Sequence, residues 1–134
     1  MKLMLDTNIC IAIIKQKSKD ILQKFSDYQI GDICISAVTL AELRYGVAKS
    51  QFVEKNQIAL DEFILPLEVV DFDEQATGYY GKLRAALEKE GRPIGPLDTM
   101  IAAHALSLNV TLVTNNTREF SRIKDLKLVD WLGS

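Results

Sequence analysis

Three apolar residues, Leu3, Met4 and Leu5, run straight into Asp6, Thr7 and Asn8. An apolar run this short, with no polar alternation, fits a strand buried on both faces. The chain therefore leads a carboxylate out of a buried strand. An acid at such a place is usually a helix cap or a member of a site. Either way, a helix or a ligand must begin where the strand stops, and this restricts the fold to strand–helix units.

The rest of the chain repeats that grammar. A strand over 2–6 leads to a helix over 7–16, and Ser18 is placed to cap a second helix. Gly31–Asp32 marks a turn before the strand "ICIS" (33–36). A helix is expected over 38–49, with Val38, Ala41, Tyr45 and Ala48 forming its core face, and another over 53–64. The strand "LEVVDF" (67–72) precedes a helix over 73–90 with a stripe of Ala76, Tyr79, Tyr80, Leu83 and Leu87, and Gly91 ends it. Pro96 opens a helix reaching about Ser107. The strand "VTLVTN" (110–115), a short helix over 117–122 and the edge strand "LKLVD" complete the chain.

This alternation predicts an α/β fold: a three-layer sandwich with a short parallel sheet of about five strands covered by helices on both faces. At 134 residues, without linker or repeat, the expectation is one domain over 1–134. No apolar stretch is long enough to span a membrane, and Asp6 interrupts the first apolar run too early for a signal peptide, so a cytoplasmic protein is expected. Cys10 and Cys34 lie in apolar runs and are read as buried thiols rather than a disulfide framework or a zinc site. The formal charge of −2 carries no overall basic bias toward nucleic acid.

Open parallel sheets place their sites at the carboxyl ends of the strands. Asp6 lies at one such end, and Thr114, Asn115 and Asn116 at another. Glu42 has Val38 and Tyr45 as helical neighbours, and Asp98 has Ile101 and Ala102, so both acids are expected on inward-facing surfaces. Each has a plain structural alternative. Asp6 can cap its helix, Asp98 can favour the helix dipole, and Glu42 can pair with a buried arginine. Three acids converging in an apolar setting would repel one another and be costly to desolvate. A divalent cation, basic partners or raised pKa values would resolve this. Oxygen ligands suit Mg²⁺, with Mn²⁺ as substitute. The only histidine, His104, lies in the apolar "IAAHAL" segment and is read as a core residue, which disfavours zinc and a Ser-His-Asp apparatus.

The segments "MLDTNICI", "TLAELRYG", "RPIGPLDTMIAAHAL" and "LVTNNTREF", in this order, resemble PIN-domain proteins, and more closely the VapC toxin ribonucleases of bacterial toxin–antitoxin pairs. The resemblance covers almost the whole chain. It implies a Mg²⁺- or Mn²⁺-dependent endoribonuclease with Asp6, Glu42 and Asp98 as catalytic, metal-holding acids. The family's fourth position falls on Asn116, where many relatives carry Asp; one charge fewer argues against a tightly held second cation. Glu119 is a candidate outer carboxylate, and Thr7, Asn8 and Thr114 are candidates to hydrogen-bond the acids or the attacking water.

The implied chemistry is in-line attack by water on an RNA phosphodiester, leaving 5′-phosphate and 3′-hydroxyl ends. Arg92 is the first candidate to hold the RNA, followed by Arg44 and Arg84. The implied substrate is a transfer RNA, with the anticodon loop of initiator tRNA leading, and its cleavage would inhibit translation. The implied partners are a VapB-type antitoxin whose tail covers the acidic pocket, a second copy of the chain in a homodimer, and a higher toxin–antitoxin assembly.

Two other classes compete. Aspartate-based phosphatases and receiver domains also place an acid after a first strand. The first want a second Asp where this chain has Asn8; the second want an early acid pair and a late lysine, and neither is present. A non-catalytic PIN-like binding or regulatory module is the other alternative, with Asn116 alone in its favour. DNA or flap cleavage shares the same chemistry and is separated only by substrate.

Overall fold

A computed structural model describes residues 1–132. Twelve elements follow one another: β1 (Leu3–Leu5), α1 (Thr7–Ile14), α2 (Lys19–Ser26), β2 (Ile33–Ser36), α3 (Ala37–Ala48), α4 (Val53–Ile64), β3 (Glu68–Val70), α5 (Glu74–Lys89), α6 (Pro96–Leu108), β4 (Thr111–Val113), α7 (Thr117–Phe120) and β5 (Leu128–Val129). The strands form one sheet in the order β3-β2-β1-β4-β5, and every pairing is parallel. The expected three-layer α/β architecture is the observed one.

Alternation along β1 explains the layers. Successive strand side chains point to opposite faces. Leu3 and Leu5 join one buried cluster with Ile9 and Ile13 of α1, Ile21 of α2, Leu43 and Val47 of α3, and Leu60 and Phe63 of α4. Met4 joins the other with Leu87 of α5, Ile101, Ala102 and Ala105 of α6, and Phe120. In register, Met4 pairs with Cys34 and Leu112, and Leu5 with Val113. Both faces of the central strand are covered, which is why its three residues carry no polar alternation.

Local chemistry sets the helix ends. Ser18 caps α2 and Asp73 caps α5, each through a side-chain oxygen that accepts a backbone N–H three residues on, at 3.1 and 2.9 Å. Pro96 is the first residue of α6. Gly91 closes α5 at φ +69° with paired bonds, Gly91 N to Glu88 O at 3.0 Å and Arg92 N to Leu87 O at 2.9 Å. This cap needs a left-handed residue, which glycine supplies without a Cβ penalty.

Two expected faces are corrected. On α3 the buried residues are Val38, Thr39, Leu43 and Val47, while Ala41 and Ala48 are exposed and Tyr45 is 64% exposed. Leu43 and Val47 form a second apolar stripe on this helix, and the core took that stripe together with Val38. On α5, Ala76, Tyr80, Leu83 and Leu87 turn inward, but Tyr79 is 41% exposed. β2 has the expected bounds, whereas β1, β3, β4 and β5 are each shorter than expected.

The strand order reverses between β1 and β4, so the crevice at their carboxyl ends lies at a topological switch point. Asp6 follows β1 and Thr114 follows β4. Delivering Asp6 depends on β1 packing. Leu5→Ala, at a fully buried position, is expected to cost about 2–5 kcal/mol in chemical denaturation. The same change at Leu65, 82% exposed, is expected to cost less than about 0.5 kcal/mol.

Candidate functional site

Asp6 is held from three directions. Its backbone N–H donates to the Val113 carbonyl at 3.0 Å, fixing it to β4. Its Oδ1 accepts the Ile9 N–H at 2.9 Å, capping α1. The hydroxyl of Thr114, itself fully buried, favours its charged form. The carboxylate is only 3% exposed. Burial outweighs the hydrogen bonds and raises its pKa above the ordinary value, and the charges of Glu42 and Asp130 push the same way. Asp6 is thus a helix cap and also a buried acid whose charged form is opposed by desolvation.

Glu42, on α3, is half-buried and accepts the Thr7 hydroxyl at 2.7 Å through Oε1. It reaches the crevice although its helix turns a different face to the core from the expected one. Asp98 sits in the first turn of α6 beside Thr99 and Ile101, both essentially buried. Its pKa is pushed up to about 6, by burial first, then by Glu42, Asp6 and Glu119. Asp6, Glu42, Asp98 and Glu119 therefore share one electrostatic field. Among the described residues no lysine or arginine forms an ion pair with Asp6, Glu42 or Asp98.

The turn after β4 is a hydrogen-bonded unit. The Asn116 N–H donates to Thr114 Oγ1 at 2.9 Å, and Asn116 Nδ2 donates to Glu119 Oε2, also at 2.9 Å. Asn116 stands at the start of α7 without capping it by its side chain. Its amide orients Glu119, one member of the acidic field.

The donor set is all carboxylate and amide oxygen, which suits a hard divalent cation. Among the described residues no three acids, histidines or cysteines stand in ready metal-ligand geometry. Asp6 and Glu42 instead each spend an oxygen on a local donor. The fit to a cation rests on charge: beyond the effect of burial, the charge of Glu42 raises the pKa of both Asp6 and Asp98, and among the described residues no lysine or arginine forms an ion pair with the three.

Beside Glu42 an open apolar groove of about 930 Å³ runs along α1, α3 and α4, lined by Ile11, Ala41, Tyr45, Leu60, Leu97 and Met100 among others. Thr7 and Asn8 form its acidic-site end and Lys15 and Lys49 also border it, with Lys49 Nζ lying 4.7 Å from the Tyr45 ring centre. The misassigned α3 stripe lies here. The surplus of apolar residues on α3, more than one core face can bury, was the signal in the sequence for this groove.

The basic candidates are spread out. Arg92 is exposed in the loop ahead of Asp98, and Arg44 is exposed on α3. Arg84 is held on its own helix by Tyr80 Oη at 2.8 Å and Glu88 at 3.3 Å. None has a described bond to the acids. His104 is buried as expected, but only its Nδ1 has a partner in good geometry.

The sequence signature of the PIN domain matches residues 3–126. The chain is 48% identical over 131 residues to the tRNA(fMet)-specific endonuclease VapC of Shigella flexneri, covering 98% of both chains. Its structure is similar to VapBC2 from Rickettsia felis bound to a fragment of promoter DNA, with a TM-score of 0.93, 45% identity, and 98% and 99% of the two chains covered. It is equally similar to the DNA-bound VapBC of Salmonella typhimurium, with a TM-score of 0.93, 46% identity and 98% of each chain covered. With sequence, fold and the switch-point location of its acids in agreement, the chain belongs to the PIN-domain family, among its VapC-type ribonucleases.

Proposed function

We propose that this chain is the toxin of a VapBC-type pair, a divalent-cation-dependent endoribonuclease that cuts tRNA and so inhibits translation. The observation that carries the reading is the shared field of Asp6, Glu42 and Asp98 at the sheet's switch point, left without a basic partner. The name and 48% identity of the Shigella relative support initiator tRNA as substrate, with the anticodon loop as the place of cleavage.

Asp6 and Asp98 are the residues to hold Mg²⁺, or Mn²⁺ in its place, with Glu42 beside them. A cation bound there would lower the pKa of a water and offset charge developing on the phosphoryl oxygens. Thr7 fixes the Glu42 carboxylate in one orientation through its 2.7 Å bond. Thr114 and the backbone N–H of Ile9 favour the charged form of Asp6 and offset part of the effect of its burial. Asn116 presents Glu119 at the rim, where its carboxylate can orient the attacking water. Arg92 is the nearest of the basic candidates in sequence to Asp98 and is assigned to the RNA backbone, with Arg44 and Arg84 farther out. In-line attack then leaves 5′-phosphate and 3′-hydroxyl ends.

The groove beside Glu42 is the surface assigned to the antitoxin tail, an amphipathic segment whose apolar face would cover Tyr45, Leu97 and Met100. Relatives solved as VapBC complexes on DNA support an antitoxin here; a homodimer and a larger assembly are proposed with it. Among the described residues no helix is long and apolar enough to cross a membrane, in keeping with the proposed cytoplasmic setting.

Two outcomes test the reading. Purified chain, free of antitoxin, is expected to cut a tRNA pool at discrete positions with Mg²⁺. EDTA should abolish cutting, and Asp6→Asn or Asp98→Asn should reduce it by about a hundredfold or more. Failure of the folded protein to cut any RNA, with no cation binding, would leave only a binding module.

The second outcome concerns pH. Asp98 titrates near 6 in the folded chain and near the ordinary 3.8 when unfolded, so between these values the folded state binds more protons. Without cation, its contribution to stability falls as pH rises from about 4 to about 6. His104, whose pKa is lowered by burial, acts in the opposite direction. The difference between wild type and Asp98→Asn isolates the Asp98 slope in thermal melts. Mn²⁺ is expected to raise the melting temperature at pH 8 and much less at pH 5, where protons compete for the same carboxylates.

A further inference from the structure

Ser36 and His104 lie 68 residues apart in sequence, yet Ser36 Oγ and His104 Nδ1 are 2.8 Å apart. Both are buried, 0% and 1% exposed. Ser36 Oγ also accepts the Val38 N–H at 3.0 Å and caps α3. One hydroxyl thus joins the start of α3 to the middle of α6. Among the described residues it is the one side-chain hydrogen bond between those segments.

The two helices cross in opposite directions. Ser36 meets His104, Val38 packs in one cluster with Ile101, Ala102 and Ala105, and Glu42 acts on Asp98. As the α3 number rises, its α6 partner falls. Glu42 is six residues beyond Ser36, and Asp98 six residues before His104. At 1.5 Å per residue, both acids stand about 9 Å along their helices from the hydrogen bond. The bond and the acid pair are two ends of one helix–helix contact.

At the acid end, like charges push α3 and α6 apart. Thr7 ties Glu42 to α1 but not to α6. At the other end the polar pair holds them together. Stability alone does not explain the pair. His104 Nε2 is buried without a partner in good geometry, packed near the edge-on Phe72 ring at 5.3 Å. The Asp71 backbone interacts with the His104 ring, but not in strict hydrogen-bond geometry, and an apolar side chain would fill the same space without a poorly paired nitrogen. A hydrogen bond, unlike an apolar contact, fixes a register.

We propose that the Ser36–His104 hydrogen bond is a positioning tie for the cation site, holding α3 against α6 and so setting the separation of Glu42 from Asp98. The inference rests on the cation-dependent reading of that site. Both residues act through the acids and touch neither cation nor RNA.

The test is Mn²⁺ binding to the purified chain, followed by electron paramagnetic resonance, beside thermal unfolding without cation. Ser36→Ala removes both tie and cap; His104→Leu removes the tie and leaves the cap; Ser36→Thr keeps both. The first two are expected to weaken Mn²⁺ binding about tenfold, within the range for groups behind metal ligands. The double variant should be no weaker than either single one, and Ser36→Thr should restore wild-type affinity. RNA cleavage in the first two should recover at high Mn²⁺. Wild-type Mn²⁺ affinity in folded Ser36→Ala and His104→Leu, with only the melting temperature lowered, would overturn the tie. Should His104→Leu not fold, the Ala and Thr variants at Ser36 decide it. A wild-type chain that binds no Mn²⁺ would instead sink the cation reading itself, and this inference with it.

Discussion

Asp6, Glu42 and Asp98 repel one another, and the fold nevertheless brings them to one crevice from three separate elements. This repulsion is not relieved by any lysine or arginine paired with them among the described residues. It adds to the burial that raises the pKa of Asp6 and pushes that of Asp98 up to about 6. Holding such a set together takes structure. β1 is buried on both faces, Asp6 is bonded to β4 through its backbone, and α3 and α6 are packed across the crevice. A site of this kind gains stability when a cation arrives, since the charge that opposes folding then favours binding.

Helix α3 carries the cost of this arrangement. It contributes Leu43 and Val47 to one core cluster, Val38 to the other, and Glu42 to the crevice. Its remaining apolar face, with Ala41 and Tyr45, faces the groove that ends at Thr7 and Asn8. The acids and the groove therefore share one helix. Whatever covers Tyr45 lies within a turn or so of Glu42, so that one binding event can both bury apolar surface and meet the carboxylate. This adjacency fits the proposed control of a nuclease by a partner's tail.

Much of this was legible in the residues. The uninterrupted apolar runs of β1, β2 and β4 marked a covered parallel sheet, and the acid after β1 marked its carboxyl edge. Gly91 and Pro96 bracketed the loop before Asp98 through their own backbone chemistry. The faces of α3 were not legible. Apolar residues satisfy two helical stripes there, and only tertiary packing decides between Leu43–Val47 and Ala41–Tyr45. Glu42 was placed inward by reference to Tyr45, which is exposed; it reaches the crevice because Thr7 and the crossing of α6 bring it there. The Ser36–His104 pair was hidden for a related reason. Ser36 read as the end of a strand and His104 as a core side chain, and their meeting depends on a helix crossing that no local pattern encodes. Arg84 was an RNA candidate by charge alone, while in the fold it is engaged by Tyr80 and Glu88.

The central claim is that the acids form one cation site. Crystals of the purified chain soaked in Mn²⁺ at pH 8 and measured for anomalous scattering test it most directly. The account predicts a single strong peak bonded to carboxylate oxygens of Asp6 and Asp98 at about 2.0–2.2 Å, with Glu42 bonded or one water away. A crevice with no peak at saturating Mn²⁺, or a peak held by other residues while these three acids remain apart, would contradict it.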